Sequence, residues 1–159
     1  METTSNMILT AIFGALAVWL LIGVVKTWGK TKYKDRTWTA SRILFVVAAV
    51  MLVFTAFAYN GIWDIIRMAV MGVAIVAYLL MRDGIGEEGV CTMGSFVPWS
   101  GVKSYDYQKR KKNFEVYFEL PDKKEDYRAT VAFDAKQEEE IKSFLKQKIG
   151  KKYRRMKKG

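Results

Sequence analysis

The chain reads as an α+β membrane protein: three transmembrane helices, then a small antiparallel β-sheet closed by a C-terminal helix. Two observations carry this. Three apolar runs, at residues 7–25, 43–59 and 62–81, fill the first half. A bilayer core ~30 Å thick is crossed by about 20 apolar residues in a helix. Beyond residue 82 the apolar period becomes strict alternation, which marks strands with one covered face. The predicted division is a membrane region at 1–82, a small domain at 83–150 and a basic tail at 151–159.

The first run, Met7 to Val25, carries no charge. Residues 1–6 hold Glu2 and no Lys or Arg, unlike the basic start of a cleaved signal, so this run reads as an uncleaved anchor. Ala11, Gly14 and Ala15 offer small surfaces for close helix packing. The second run, Ile43 to Tyr59, is also uncharged and can borrow Ala40 and Ser41. The third carries Asp64 and Arg67 near its start, then fourteen uncharged residues from Met68 to Met81. Trp28, Trp63 and Tyr59 fall near run ends, where amphipathic rings favour headgroups. Trp19 lies deeper, against lipid or another helix.

Cytoplasmic loops are enriched in Lys and Arg. The first connection holds Lys26, Lys30, Lys32, Lys34, Arg36 and Arg42 against Asp35 alone, whereas the second, around Asn60 and Gly61, has no basic residue. The expected protein is a multi-pass cell-membrane protein with its N-terminus outside and its C-terminus in the cytoplasm. Residues 26–42 read as a plain loop or an interfacial helix, and Tyr33 and Trp38 amid lysines suit the latter. Asp64 and Arg67 stand i, i+3 and form an expected intramembrane ion pair. The plain role is to fix helix position. The sharper one is contact with an extracellular peptide.

In the domain, Phe114, Val116, Phe118 and Leu120 alternate with Glu115, Tyr117 and Glu119, and Tyr127, Ala129, Val131 and Phe133 repeat the pattern. Pro121, Asp122, Lys123 and Lys124 supply the turn. Arg128 would then meet Glu115 or Glu119 across the strands. Val90–Met93, Ser95–Val97 and Val102–Gln108 read as shorter strands. Tyr105 and Tyr107 are expected in the core or at a sheet edge, or on an exposed aromatic surface. Asp134 and Gln137 resemble a capping box opening a helix. Ile141, Phe144, Leu145 and Ile149 form its apolar face, and Gly150 ends it.

Ten positive charges in excess over 159 residues point to an anionic partner. The expected lipid-headgroup contacts are a hairpin tip, Lys109, Arg110, Lys111 and Lys112, and a tail, Lys151, Lys152, Arg154, Arg155, Lys157 and Lys158. Near anionic lipid each basic residue is worth ~1 kcal/mol. A membrane tether argues against nucleic acid. There is no histidine and one cysteine, Cys91, so the commonest general base and metal ligand are missing and no intrachain disulfide can form. No cofactor is expected. Gly84-x-Gly86-x-x-Gly89 matches a dinucleotide fingerprint in letters only, because a membrane helix precedes it and a strand follows. Those glycines read as a flexible exit from the bilayer, and Cys91 as a buried small hydrophobe.

The stretch Gly89-Val90-x-x-x-Gly94-x-Phe96-x-Pro98-Trp99-Ser100-x-Val102-x-x-Tyr105 resembles the opening of bacterial pleckstrin-homology-like domains. These often follow two or three spans in small bacterial proteins of unknown function. The resemblance implies a seven-stranded barrel with a closing helix. Only five or six strands fit between Ile85 and Phe133, so it implies a partial barrel here. Some proteins of that class protect bacteria against membrane-active bacteriocins. Two functions follow as expectations. One is a non-enzymatic membrane protein whose domain binds anionic headgroups, a protein partner or a second copy of itself. The other is an immunity or envelope-stress factor acting against a peptide or toxin.

Overall fold

The computed structural model describes residues 2–58, 61–122 and 127–156. They fall into two compact units, Met1–Lys26 with Trp38–Met81, and Thr27–Thr37 with Arg82–Gly159. The boundaries therefore differ from the expected cut at residue 82. Thr27–Thr37 of the first connection belong to the second unit, and so does the tail.

The first unit holds helices α1 (Glu2–Thr27), α2 (Ala40–Ala56) and α3 (Ile62–Leu80). Thr4–Thr27 and Ile62–Leu80 are long and apolar enough to cross a membrane, and most of both is exposed. The 17 residues of α2 fall short of that length. At 1.5 Å per residue they span ~26 Å. Tyr59 and Asn60 lie outside the described residues. Thr39 caps α2 by accepting from the Arg42 amide at 3.4 Å. Helices α1 and α3 meet through small side chains, Ala17, Ala74 and Ala77, beside Leu20 and Val24, and Phe45 of α2 stacks on Tyr78 of α3 at 4.1 Å. The small residues expected to pack do not: Ala11 and Ala15 are exposed, and nothing lies within 4 Å of a Cβ built on Gly14. The stripe that packs begins half a turn later along α1. Trp19 is 55% exposed.

The second unit contains two antiparallel sheets. Strands β1 (Tyr33–Lys34), β2 (Gly84–Ile85), β3 (Gly89–Thr92) and β4 (Ser95–Pro98) pair in that order. Strands β5 (Ser104–Lys109), β6 (Asn113–Leu120) and β7 (Tyr127–Asp134) form the other sheet. The alternation on β6 is realised fully: Phe114, Val116, Phe118 and Leu120 are sealed from solvent. On β7 Val131 and Phe133 are buried and Ala129 nearly so, while Tyr127 at the strand start is 38% exposed. Glu119 lies directly opposite Arg128, and Glu115 opposite Ala132. Lys123 and Lys124 lie outside the described residues.

The first connection is neither plain loop nor interfacial helix. Thr31, Tyr33 and Asp35 turn inward while Lys32 and Lys34 face out. This is a period of two over only five residues, too short to stand out among lysines. Tyr33 packs edge-on against Phe144 at 5.3 Å. Past β1, the Arg36 amide donates to the Ala132 carbonyl on β7 at 2.8 Å, so one segment touches both sheets. The seventh strand, β1, thus comes from outside the 85–133 interval.

Asp134 accepts from the Lys136 amide at 3.0 Å and opens a 3-10 turn, Ala135–Gln137, which leads into α4 (Glu138–Ile149). Gln137 makes no side-chain cap, so the expected capping box is a single cap one turn earlier. Ile141, Phe144, Leu145 and Ile149 are buried against the strands. The helix ends at Gly150, and a second 3-10 turn, Gly150–Lys152, carries the chain onward.

Candidate functional site

The basic tip joins β5 to β6. Lys109 faces Phe114, and the Arg110 amide donates to the Asn113 carbonyl at 2.7 Å, closing the turn. Lys109 pairs with Glu138 at 2.6 Å, and Lys142 shares the same carboxylate. Lys109 and Lys142 hold the Glu138 carboxyl below its ordinary value, and Glu138 in turn raises Lys142. The Lys142 ammonium also lies over Tyr107 at 5.2 Å. Arg110 pairs with Glu115 at 3.1 Å, which also accepts from the Tyr117 hydroxyl. Lys111 and Lys112 are exposed and form no ion pair among the described residues. The tip thus has two basic residues bound into the fold and two facing water. Asn113 at its base accepts from the Arg36 guanidinium at 2.8 Å.

The tail is a built element. Tyr153 bridges Tyr105 in parallel, and the Arg154 amide donates to the Tyr105 carbonyl at 3.0 Å. The Met156 amide donates to Asp106 Oδ2 at 3.0 Å. The Tyr153 ring meets those of Tyr105 and Tyr107 at 5.5 and 5.3 Å. Tyr105 is therefore a core residue, and Tyr107 is half-buried against that core. Burial foremost raises the Tyr153 hydroxyl above its usual value, with Asp106 adding to it. A parallel path along β5 runs toward Lys109, about 10 Å beyond Asp106 at ~3.3 Å per residue. The tail and the tip, far apart in sequence, therefore share one sheet edge. Lys157 and Lys158 lie outside the described residues.

Lys152 leaves the headgroup set. Its ammonium donates to the carbonyls of Trp99 at 2.7 Å, Ser100 at 3.2 Å and Val102 at 2.7 Å. An ammonium has three protons, so its donor capacity is fully used inside the fold. Lys151, Arg154 and Arg155 keep exposed side chains.

Asp64 and Arg67 pair as expected, at 2.9 Å. Sequence reasoning missed Asn6 of α1, whose Oδ1 accepts from the same guanidinium at 2.7 Å. Asparagine six residues from the start gives no spacing signal toward a helix sixty residues on. The arrangement is a polar tie between α1 and α3, and it uses both sides of the guanidinium.

The glycine motif is a crossing of backbones. A Cβ on Gly84 would strike the Tyr33 carbonyl, one on Gly86 the Lys30 carbonyl, and one on Gly89 the Val97 carbonyl. All three are buried, so the expected flexible exit is a paired strand and turn instead. Glu87 between them takes Lys148 at 2.6 Å and Lys32 at 3.0 Å. Both lysines hold its carboxyl below the usual range. Cys91 is fully buried on β3, and desolvation pushes its thiol up to about 11. It packs as a small hydrophobe.

A family model described as a domain of unknown function (DUF5673) matches residues 81–150. The match begins where α3 ends and closes at Gly150, so it omits β1 and the tail. No curated protein and no solved structure matches the chain.

Proposed function

We propose that this is a non-enzymatic, three-span membrane protein with its N-terminus outside, whose cytoplasmic unit has a pleckstrin-homology-like fold and binds anionic phospholipid headgroups. Four strands, then three, then a closing helix agree with the fold that the Gly89–Tyr105 resemblance implies. The exposed apolar surfaces of α1 and α3 support spanning. The basic first connection supports the orientation, and α2 crosses between them with help from its flanking residues.

One observation carries the headgroup reading: the basic tip is tied to the chain close to a membrane crossing. Arg36, which holds Asn113 at the base of the tip, is four residues from Ala40, the first residue of α2. Four residues reach at most about 14 Å. Lys111 and Lys112 face water next to Asn113, and the tail pairs with β5, the strand that leads into the tip. The peptide-contact reading of Asp64 and Arg67 gains no support, because Arg67 is engaged by Asn6 and Asp64 inside the helices.

The test is full-length protein in nanodiscs of mixed neutral and anionic lipid, with retained lipids weighed by native mass spectrometry. Wild type should retain anionic lipid preferentially. At ~1 kcal/mol per basic residue, Lys111→Ala with Lys112→Ala should lower that preference roughly tenfold or more. High salt should do the same. An unchanged preference sinks the proposal, and a co-purifying stoichiometric protein on native membranes would transfer the site to that partner.

A further inference from the structure

We infer that the β3–β4 hairpin tip is an interfacial anchor: Met93 at its apex seats in the headgroup–acyl boundary of the bilayer that α3 crosses. This rests on the reading of α1 and α3 as spans. It concerns a site separate from the basic tip and needs no anionic lipid.

Three observations carry it. First, the tip is tethered to a helix end. The Met93 amide donates to Asp83 Oδ1 at 2.7 Å, and Asp83 is three residues beyond Leu80, where α3 ends. Along the chain those Cα atoms are no more than about 11 Å apart, so the hairpin apex is bonded to a residue that follows the end of α3 by three positions. Second, the apex is apolar where turn chemistry asks for something else. Met93 and Gly94 have φ of 48° and 74°, the left-handed pair of a two-residue hairpin turn. Asn, Asp or Gly suit the first of these positions, and a methionine there is strained. Its side chain is 70% exposed, so the strain is not offset by burial within the protein. An unbranched, polarisable chain is well suited to enter disordered lipid. Third, the segment that follows α1 has interfacial character, and its Lys30 reaches β4. Trp28, the first residue after α1, is 71% exposed, and Lys30 lays its ammonium over Phe96 of β4 at 4.3 Å. An aromatic, a lysine with an apolar stem and an exposed methionine make the mixture found at membrane boundaries.

The test uses full-length protein in nanodiscs of neutral lipid. Met93 oxidation by an aqueous oxidant is followed by mass spectrometry, against the same residue in its tryptic peptide. Slower oxidation in the nanodisc is expected, and oxidation at the peptide rate overturns the inference. As a second measurement, Met93→Cys is labelled with an environment-sensitive dye, the buried Cys91 being replaced by alanine. Lipids spin-labelled near the headgroup should quench it more than lipids labelled at the chain end, as for a depth of about 5–10 Å. Quenching by aqueous iodide alone overturns it. Alkaline carbonate separates the two levels of failure. Release of the protein from membranes defeats the spanning reading and the anchor with it. Retention with an aqueous Met93 defeats the anchor alone.

Discussion

Arg36 donates to Asn113 Oδ1 at 2.8 Å across 77 residues of sequence. With the Arg36 amide on Ala132 and β1 paired to β2, this contact makes Thr27–Thr37 of the first connection a structural part of the second unit. That unit is assembled from two chain segments separated by α2 and α3. Its stability then depends on a segment that neither length nor composition marks as part of it.

Gly86→Ala should show this dependence. The added methyl would meet the Lys30 carbonyl, with the carbonyl carbon at 2.9 Å, and neither atom belongs to a flexible side chain. Overpacking of this kind costs about 1–3 kcal/mol. The thermal midpoint of the second unit, followed by tryptophan fluorescence in nanodiscs, should fall accordingly. Gly14→Ala, with open space around it, should leave that midpoint in place.

Adjacent lysines should behave oppositely. Lys152→Met removes a cation from three carbonyls of the β4–β5 connection, and charged hydrogen bonds of a half-exposed group are worth about 1–2 kcal/mol in sum. Lys151→Met removes an exposed charge and should be neutral in stability. Lys152→Arg should rescue poorly, since a planar fork does not reproduce three converging bonds to a point charge. Chemical denaturation of the three variants compares them directly.

The long periodic elements were legible because each repeats one physical signal many times. Four phenylalanine, valine and leucine positions on β6 can only lie on one face, and the α4 stripe and its charge order likewise fix a helix. β1 was not legible, because five residues of alternation do not rise above a lysine-rich loop. The glycine triplet was visible as letters, but its meaning depends on the 30–34 backbone crossing it. Among site residues, exposure of the Lys109–Lys112 tip was readable from its turn, whereas Lys152 was not separable from Lys151. Only the 3-10 turn after Gly150 decides which of the two faces the carbonyls. Asn6 gave no signal at all.

Stability should be flat between two limbs of a pH profile. Glu138 and Glu87 titrate below their ordinary value of 4.5 in the folded protein. Their contribution is complete above 4.5 and is lost as the pH falls through the depressed folded values. Cys91 goes the other way: burial raises its thiol from 9.0 to about 11. The folded state holds that proton longer, so stability declines as pH rises from 9.0 toward about 11. Lys32 and Lys142, raised above 10.5 by their carboxylate partners, extend the loss beyond 10.5. Midpoints measured across pH should show both limbs. Glu138→Gln should flatten the acid limb, and Cys91→Ala should move the alkaline limb upward.

Asp106 is the residue on which the tail depends. It is 1% exposed, and it accepts from the Tyr107 amide at 2.8 Å and the Met156 amide at 3.0 Å. Its charge also helps to raise the Tyr153 hydroxyl, behind burial. Asp106→Ala leaves two amides without this acceptor and frees the segment after Lys152 to leave β5. Losing about 1–3 kcal/mol of such bonds raises the detached population roughly tenfold to a hundredfold. Arg154 and Arg155 are exposed but lie against the strand edge, so trypsin needs the detached form to cut there. Limited proteolysis of the intact protein in nanodiscs should therefore cleave the tail of the variant faster by that factor, with the second unit still folded by tryptophan fluorescence. Equal cleavage rates would mean that the tail is held elsewhere, and that the shared edge of tip and tail is not maintained in solution.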